Sequence, residues 1–436
     1  MRRILYNLFL ILLASPLAAF SLDDAEQSIL KGKAAEVIPL LEGYSPKTET
    51  ETLRRMWILG VAYNRSGKSH QAVAPLARLV ILRPDDPTFR LELANALVKS
   101  DQIERARYHL ELAKGAGLSP SVQAKVQAEL DRLAKPKKWQ GYFRFAIVPE
   151  SNAARRTSAE TVNLSGFVLR LDPNSRAQSA TAFEIGTGVA TVPRLTDALR
   201  ARFALDLDAR LFDGRAPDEV TLRTSASLLH FADEGRLVSA EIYGSQRWID
   251  DAAYAHTYGL GLSYTRNLGT RARATAVLQR ERITYDGSGV DVNRTAGAAQ
   301  FAYAASSQLV FRVGMRAETR ASSYSPVAGH AAGVTIGGDY SFAGGLRVGL
   351  DLSFDRNEFD GVHPIFGVAR VDKKSSVMLN LSNQNWSYKG FTQVLRLGFE
   401  EQRSTISINR FRNATASIGL TRSFWRTSAL SRWPLT

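Results

Sequence analysis

From Trp139 onward the chain alternates, and that period of two constrains its fold more than any other feature. Leu199, Ala201, Phe203, Leu205, Leu207, Ala209 and Leu211 share one parity, while Arg200, Arg202, Asp206, Asp208 and Arg210 hold the other. Leu309, Phe311, Val313, Met315 and Ala317 repeat the pattern against Arg312, Arg316 and Glu318. Leu346, Val348, Leu350, Leu352 and Phe354 repeat it against Arg347, Asp351 and Asp355. Successive side chains of a strand point to opposite faces, so each segment reads as a strand with one apolar and one charged face.

Turn clusters such as Asp286-Gly287-Ser288-Gly289 divide the region into fourteen such segments. Shared among fourteen, residues 139–436 give about 21 residues per strand and connection, against the ~8–12 usual in a soluble sandwich. A strand that crosses a bilayer at a tilt needs ~9–11 residues plus a loop. Lipid offers the backbone no hydrogen bonds, so such a sheet closes on itself. The apolar parity then faces lipid and the charged parity faces the lumen. Aromatic residues near strand ends, including Trp139, Tyr142, Tyr243, Trp248, Tyr254, Tyr258, Tyr285, Trp386, Tyr388 and Phe424, read as girdles at the two interfaces.

The N-terminal third has a different period. Residues 1–21 read as a secretory signal: Met1-Arg2-Arg3, an apolar stretch from Ile4 to Leu13, and small Ala19 and Ser21 ahead of a cleavage site after Ser21. From 22 to 136 apolar residues recur at steps of three and four, the helical spacing. Leu59-Gly60-x-x-Tyr63, then Gly67, Ala72, Leu76 and Pro84, follow the skeleton of a tetratricopeptide repeat. Small residues at 60 and 72 let two helices approach, and Tyr63 and Leu76 fill the space between. Leu93, Ala94, Leu97, Ala106 and Leu110 continue the frame. An incomplete copy around Val37-x-Pro39-Leu40 precedes it, and a capping helix is expected at Ser121 to Leu133. The expected fold is α + β multidomain: an all-α repeat domain over 22–136, placed in the periplasm, then a 14-stranded antiparallel transmembrane β-barrel over 137–436. Its last strand ends near 424, with a short tail beyond.

Composition removes several chemistries. There is no cysteine, and His70, His109, His230, His256, His330 and His363 fall at no metal-ligand spacing. No nucleophile motif occurs, so no catalytic, cofactor or metal residue is assigned, and the chain reads as no enzyme. The formal charge of +14 is spread along the chain without a nucleic-acid module, so nucleic acid is not an expected partner. Ser417-Ile418-Gly419-Leu420-Thr421-Arg422-Ser423-Phe424 has the polar residue, the glycine two later and the final aromatic read by the outer-membrane assembly machinery. That machinery and the lipid bilayer are therefore expected partners.

This order of helical repeats and barrel resembles the surface lipoprotein assembly modulators, the Slam family of translocators. The local match is Pro149-Glu150-Ser151-Asn152-Ala153-Ala154-Arg155-Arg156-Thr157, similar to the family's P-D-S-N-x-N-R-x-T with Glu150 and Ala154 departing from it. Arg370-x-Asp372 is similar to a later R-x-D, and Ser404-x-Ile406, Arg410 and Ile418 to Phe424 are similar to the last hairpin. The resemblance implies translocation of a client protein, a surface or secreted protein, from periplasm to cell surface. It points to Pro149, Ser151, Asn152, Arg155, Arg370 and Asp372 as residues of interest. Turn chemistry is the plain alternative for Ser151 and Asn152. The competing functional expectation is a polysaccharide export porin, whose acidic sugar an arginine-lined lumen would suit.

Overall fold

The computed structural model describes residues 20–424 apart from 116, 135–137, 165, 233–234, 270, 307, 343–344, 384–385 and 387–390. The signal over 1–19, Pro136, Tyr388 and the tail after 424 lie outside the described residues. The chain divides into two compact units, one ending at Leu79 and one beginning at Val80.

Helices α1 (Leu22–Leu30), α2 (Ala34–Gly43), α3 (Glu49–Arg65) and α4 (Ser69–Leu82) open the chain. Ser21 caps α1 in a reciprocal box with Asp24, satisfying orphan N–H groups of its first turn. Cleavage after Ser21 would remove that cap. Leu59, Gly60 and Tyr63 lie on α3, and Ala72 and Leu76 on α4. A Cβ added to Gly60 would stand 2.6 Å from Cγ of Leu76, so a larger residue there must displace the Leu76 side chain. Gly67 ends α3 with a φ of 80°, a conformation that costs glycine little. The Tyr63 hydroxyl donates to Glu42, and burial followed by that carboxylate pushes the phenol up to about 12. Helices α5 (Pro87–Lys99), α6 (Ile103–Lys114) and α7 (Pro120–Ala134) follow. They belong to the same compact unit as the strands. Pro84, in the turn before α5, accepts at its carbonyl from Arg90 Nε at 3.0 Å.

Sixteen strands follow among the described residues: β1 (Trp139–Glu150), β2 (Thr161–Leu164), β3 (Phe167–Arg170), β4 (Ala180–Thr191), β5 (Leu199–Phe212), β6 (Glu219–Ala232), β7 (Arg236–Ile249), β8 (Ala252–Leu268), β9 (Ala272–Tyr285), β10 (Val290–Ala304), β11 (Leu309–Ala321), β12 (Gly329–Ser341), β13 (Leu346–Val362), β14 (Ala369–Asn383), β15 (Thr392–Ser404) and β16 (Phe411–Phe424). Fourteen of them form a closed barrel in chain order, β1 pairing with both β4 and β16, and β2–β3 forms a separate hairpin in the first long loop. All neighbours are antiparallel, so β1 and the odd-numbered strands from β5 begin at one end, here the α6 end, and finish at the other, the loop end.

Alternation divides the wall between two surroundings. Leu205 is 44% exposed while its neighbour Asp206 is 2% exposed, the inverse of a water-soluble protein. Phe203, Leu260, Leu278, Phe311, Ile336, Phe354 and Ile418 are likewise exposed on the outer face. No helix among the described residues is long and apolar enough to cross a membrane. Tyr243 and Tyr142, read as interfacial aromatics, stand elsewhere. Tyr243 is buried on the inner face, its hydroxyl donating to Glu281 and its ring 4.1 Å beneath the Arg223 guanidinium. Tyr142 lies beside Asp206 over Gly188 and also faces inward. Trp139, Tyr258 and Trp386 are exposed, as an interfacial position requires.

Candidate functional site

The inner wall is a lattice of arginine–carboxylate pairs made across neighbouring strands. Arg294 of β10 joins Glu281 of β9 at 2.8 Å and Glu318 of β11 at 2.7 Å. Arg316 of β11 reaches past β12 to Asp355 of β13 at 2.8 Å, over Gly333, where a Cβ would meet both groups. Arg312 holds Asp339 and, at 2.7 Å, Asp351, while Arg347 binds Asp339 at 3.0 Å. Period two makes these pairs possible, since every inward position of one strand faces an inward position of the next. Because the arginines are paired, the lumen is polar without being uniformly cationic.

At the α6 end, helix α6 meets this wall. Glu111 stands 3.6 Å from Arg273 at the start of β9, and the Arg347 guanidinium lies 5.9 Å from the Tyr108 ring at the start of β13. Asp131 of α7 approaches Gly235 in the β6–β7 turn. His109, on α6, is buried. Burial, then Arg90 and Arg105, pushes its imidazole down to about 3.

The second focus lies at the loop end, where β1 meets β16. Pro149 and Glu150 end β1, and Ser151, Asn152 and Arg155 open the following loop. The Ser151 N–H donates to the Ala414 carbonyl at 3.0 Å, and the Ala414 N–H donates to Ser151 Oγ at 2.7 Å. The Asn152 N–H donates to Asn413 Oδ1 at 3.0 Å, and Asn152 Nδ2 donates to the carbonyls of Arg412 at 3.0 Å and Arg156 at 2.7 Å. Asn413, fully buried, donates through Nδ2 to Glu150 at 2.9 Å. Glu150 is also ion-paired to Arg210 of β5. Arg155, held at a φ of 49°, pairs with Glu400 of β15 at 2.6 Å, and Lys374 of β14 binds the same carboxylate at 3.1 Å.

The residues singled out in sequence thus fall into separate groups. Pro149, Ser151, Asn152 and Arg155 are together at the β1–β16 junction. Arg370 and Asp372 pair with each other at 2.6 Å at the loop end of β14, with Arg370 over the Phe359 ring at 4.8 Å. They share an arc of wall with the junction, through Lys374 and Glu400 on β14 and β15. Ser417 and Gly419 lie on β16, Gly419 opposite Ala146, and the Phe424 backbone pairs with Gly141. Leu59 to Pro84 lie in the helical part. Glu150 stands out in sequence only as a departure from a motif, and Asn413, Arg210 and Glu400 do not stand out at all. No local spacing marks them, since Asn413 lies more than 260 residues from Glu150 and Asn152 and only barrel closure joins them.

The model of the family described as "Surface lipoprotein assembly modifier" matches residues 139–424. The chain is 20% identical over 240 residues to surface lipoprotein assembly modifier 1 of Neisseria meningitidis serogroup B, a match covering 55% of this chain. It covers 48% of that relative, so the chain spans about half the length of the curated protein it matches. Among solved structures, the outer membrane channel DcaP of Acinetobacter baumannii is similar at a TM-score of 0.42 and 10% identity, covering 66% of this chain and 96% of that one. A loop-deletion mutant of OmpT, an outer membrane protein of Vibrio cholerae, gives a TM-score of 0.40 at 10% identity, covering 66% and 98%.

Proposed function

Since the chain belongs to the surface lipoprotein assembly modifier family, we propose that it delivers a client protein, a surface lipoprotein or a related secreted binding protein, from the periplasm to the cell surface. The observation that carries this reading is the join between helices and barrel. Helices α5 to α7 form one compact unit with the strands, and Glu111–Arg273 and Tyr108–Arg347 stand at the α6 end of the wall. In this reading residues 22–136 are a tetratricopeptide domain in the periplasm. Its surface receives an extended client and presents it to the barrel mouth, the use to which stacked helical repeats are suited.

The paired lumen arginines favour a protein client over an acidic polysaccharide. A sugar bearing many carboxylates needs uncompensated positive charge along its path, and Arg294, Arg312 and Arg316 already hold carboxylates. The motif residues Pro149, Ser151, Asn152 and Arg155 serve the barrel rather than a reaction, closing its first strand on its last.

Removing residues 22–136 while keeping the signal tests the hand-off. The barrel still inserts, because its strands and its Ser417 to Phe424 end are intact, and it still shifts on gels when heated. Display of the client falls. Undiminished display by the bare barrel would show that the helices do not deliver it.

A further inference from the structure

The junction between β1 and β16 is the one place where the barrel closes the two ends of its strand sequence, and its ladder is interrupted. Gly141 to Ile147 pair in register with Phe424 to Ile418, the pairing then skips Val148 and Pro149, and it resumes at Glu150 opposite Thr415. The parity of the hydrogen bonds explains the gap. The Ser151 N–H donates to Ala414 of β16, so the odd-numbered amides of β1 aim at β16 and the even-numbered ones at β4. Position 149 faces Ala416 in this register and is proline, which has no N–H to give. The same proline costs the β1–β4 ladder nothing, and there Pro149 pairs in unbroken register with Thr181.

Beyond the missing rung the backbone ladder keeps only a short stretch at Glu150 and Ser151, and side chains supply the other bonds. Ser151 Oγ takes the Ala414 N–H, Asn413 Oδ1 takes the Asn152 N–H, Asn152 Nδ2 takes the Arg412 carbonyl, and Asn413 Nδ2 ties to Glu150. A side-chain clasp differs from a ladder in one respect. It closes through a few polar bonds among six residues, so releasing Asn413 from its partners leaves the strands above Ile147 joined only through the short Glu150–Thr415 and Ser151–Ala414 pairing. The released edge would part the wall where the outer face meets lipid, at exposed Ile147 and Ile418.

We propose that the β1–β16 seam opens from its loop end, with Pro149 as the weak rung and Glu150, Ser151, Asn152 and Asn413 as the clasp, and that the opening is the sideways exit for the client's membrane-seeking end. The exit rests on the translocation reading above; the opening does not. The chemistry of the wall supplies the reason for an exit. A lumen of paired charges gives an apolar anchor no favourable place, whereas a parted seam leads directly from lumen to lipid.

Hydrogen exchange on the intact chain in lipid nanodiscs tests the opening without any client. The amides that aim across the seam, those of Gly141, Phe143, Phe145 and Ile147 on β1 and of Ile418 and Leu420 on β16, are expected to exchange ~10-fold or more faster than those in the middle of the β9–β10 ladder, the mark of a locally less stable segment. Pro149→Ala restores the donor and slows that exchange, and Ser151→Ala quickens it. Seam amides protected as well as those of β9–β10, or unmoved by Pro149→Ala, would overturn the proposal. Asn413→Ala should quicken exchange further. If that variant fails to assemble, the wild-type and Pro149→Ala measurements still decide.

A disulfide tests the exit. Ala146 and Gly419 are partners, and a Cβ on Gly419 would lie 3.3 Å from that of Ala146, near disulfide spacing. The chain has no cysteine to compete. In cells carrying Ala146→Cys with Gly419→Cys, oxidation is expected to abolish protease-removable client at the surface and reductant to restore it. Phe145→Cys with Ile185→Cys, which ties β1 to β4, is expected to leave display unchanged. Normal display from the oxidised seam, in cells whose display is lost on gene deletion, would refute the exit and leave the translocator intact. Display that survives gene deletion would refute the translocator and with it the exit, while exchange still decides whether the seam opens.

Discussion

A double-mutant cycle at Gly60 and Leu76 tests the packing of the helical part quantitatively. Leu76 is fully buried, and a Cβ on Gly60 would fall 2.6 Å from its Cγ and Cδ2 atoms. Gly60→Ala gains about 1 kcal/mol of helix propensity but overpacks the crossing at about 1–3 kcal/mol. The net is between neutral and about 2 kcal/mol destabilising. Leu76→Ala alone empties a buried site and costs about 2–5 kcal/mol. In that background the new methyl of residue 60 enters vacated space, so Gly60→Ala becomes stabilising by about 1 kcal/mol. The effect of one substitution therefore differs between backgrounds by about 1–3 kcal/mol. The helix signal at 222 nm of the intact chain in detergent reports it, the barrel staying folded while the helices melt. For a segment of this size about 1 kcal/mol moves Tm by roughly 4 °C or more. Additivity within about 0.5 kcal/mol would refute the claim that the Gly60–Leu76 contact sets the crossing.

Two further predictions concern the wall and the buried histidine. Leu205→Arg puts a charge on the lipid face near the middle of β5 and is expected to cost about 2–4 kcal/mol, reducing the heat-modifiable form in membranes; equal assembly of Leu205→Arg and wild type would reverse the inside–outside assignment of β5. His109 is held neutral, its pKa near 3 against about 6.5 unfolded, so stability is complete above pH 6.5 and is lost as pH falls toward 3, by about 1.4 kcal/mol per unit. Melting of the helices across pH 7 to 4 should show this slope in wild type and a flatter one in His109→Leu, and identical slopes would show that His109 does not govern it.

The strands are legible because two surroundings act on one chain. Lipid selects apolar residues such as Phe203 and Leu205, and the lumen selects Asp206 and Asp208, leaving a period that needs no alignment to see. Tyr142 and Tyr243 depart from the girdle reading because parity outranks aromatic character. Tyr142 shares the parity of Arg144 and Tyr243 that of Glu241, which already marks them as inward. Asp206 carries another lesson: its parity gives the face, but its near-complete burial beside Tyr142 shows that an inward position can be packed rather than wet. The clasp lies beyond sequence reasoning for a different reason. Ser151 and Asn152 read equally well as turn residues, and their partner Asn413 is contributed by the last strand. The missing rung at Pro149 becomes visible only when the register fixes which amides face β16.

Protease shaving of intact cells, with and without this gene, tests the central claim most directly. Deletion is expected to leave one exported protein, or a small set, inside the outer membrane and protected from added protease, while uptake of small solutes barely changes. Cells that lose the gene yet display every surface protein as before would contradict it.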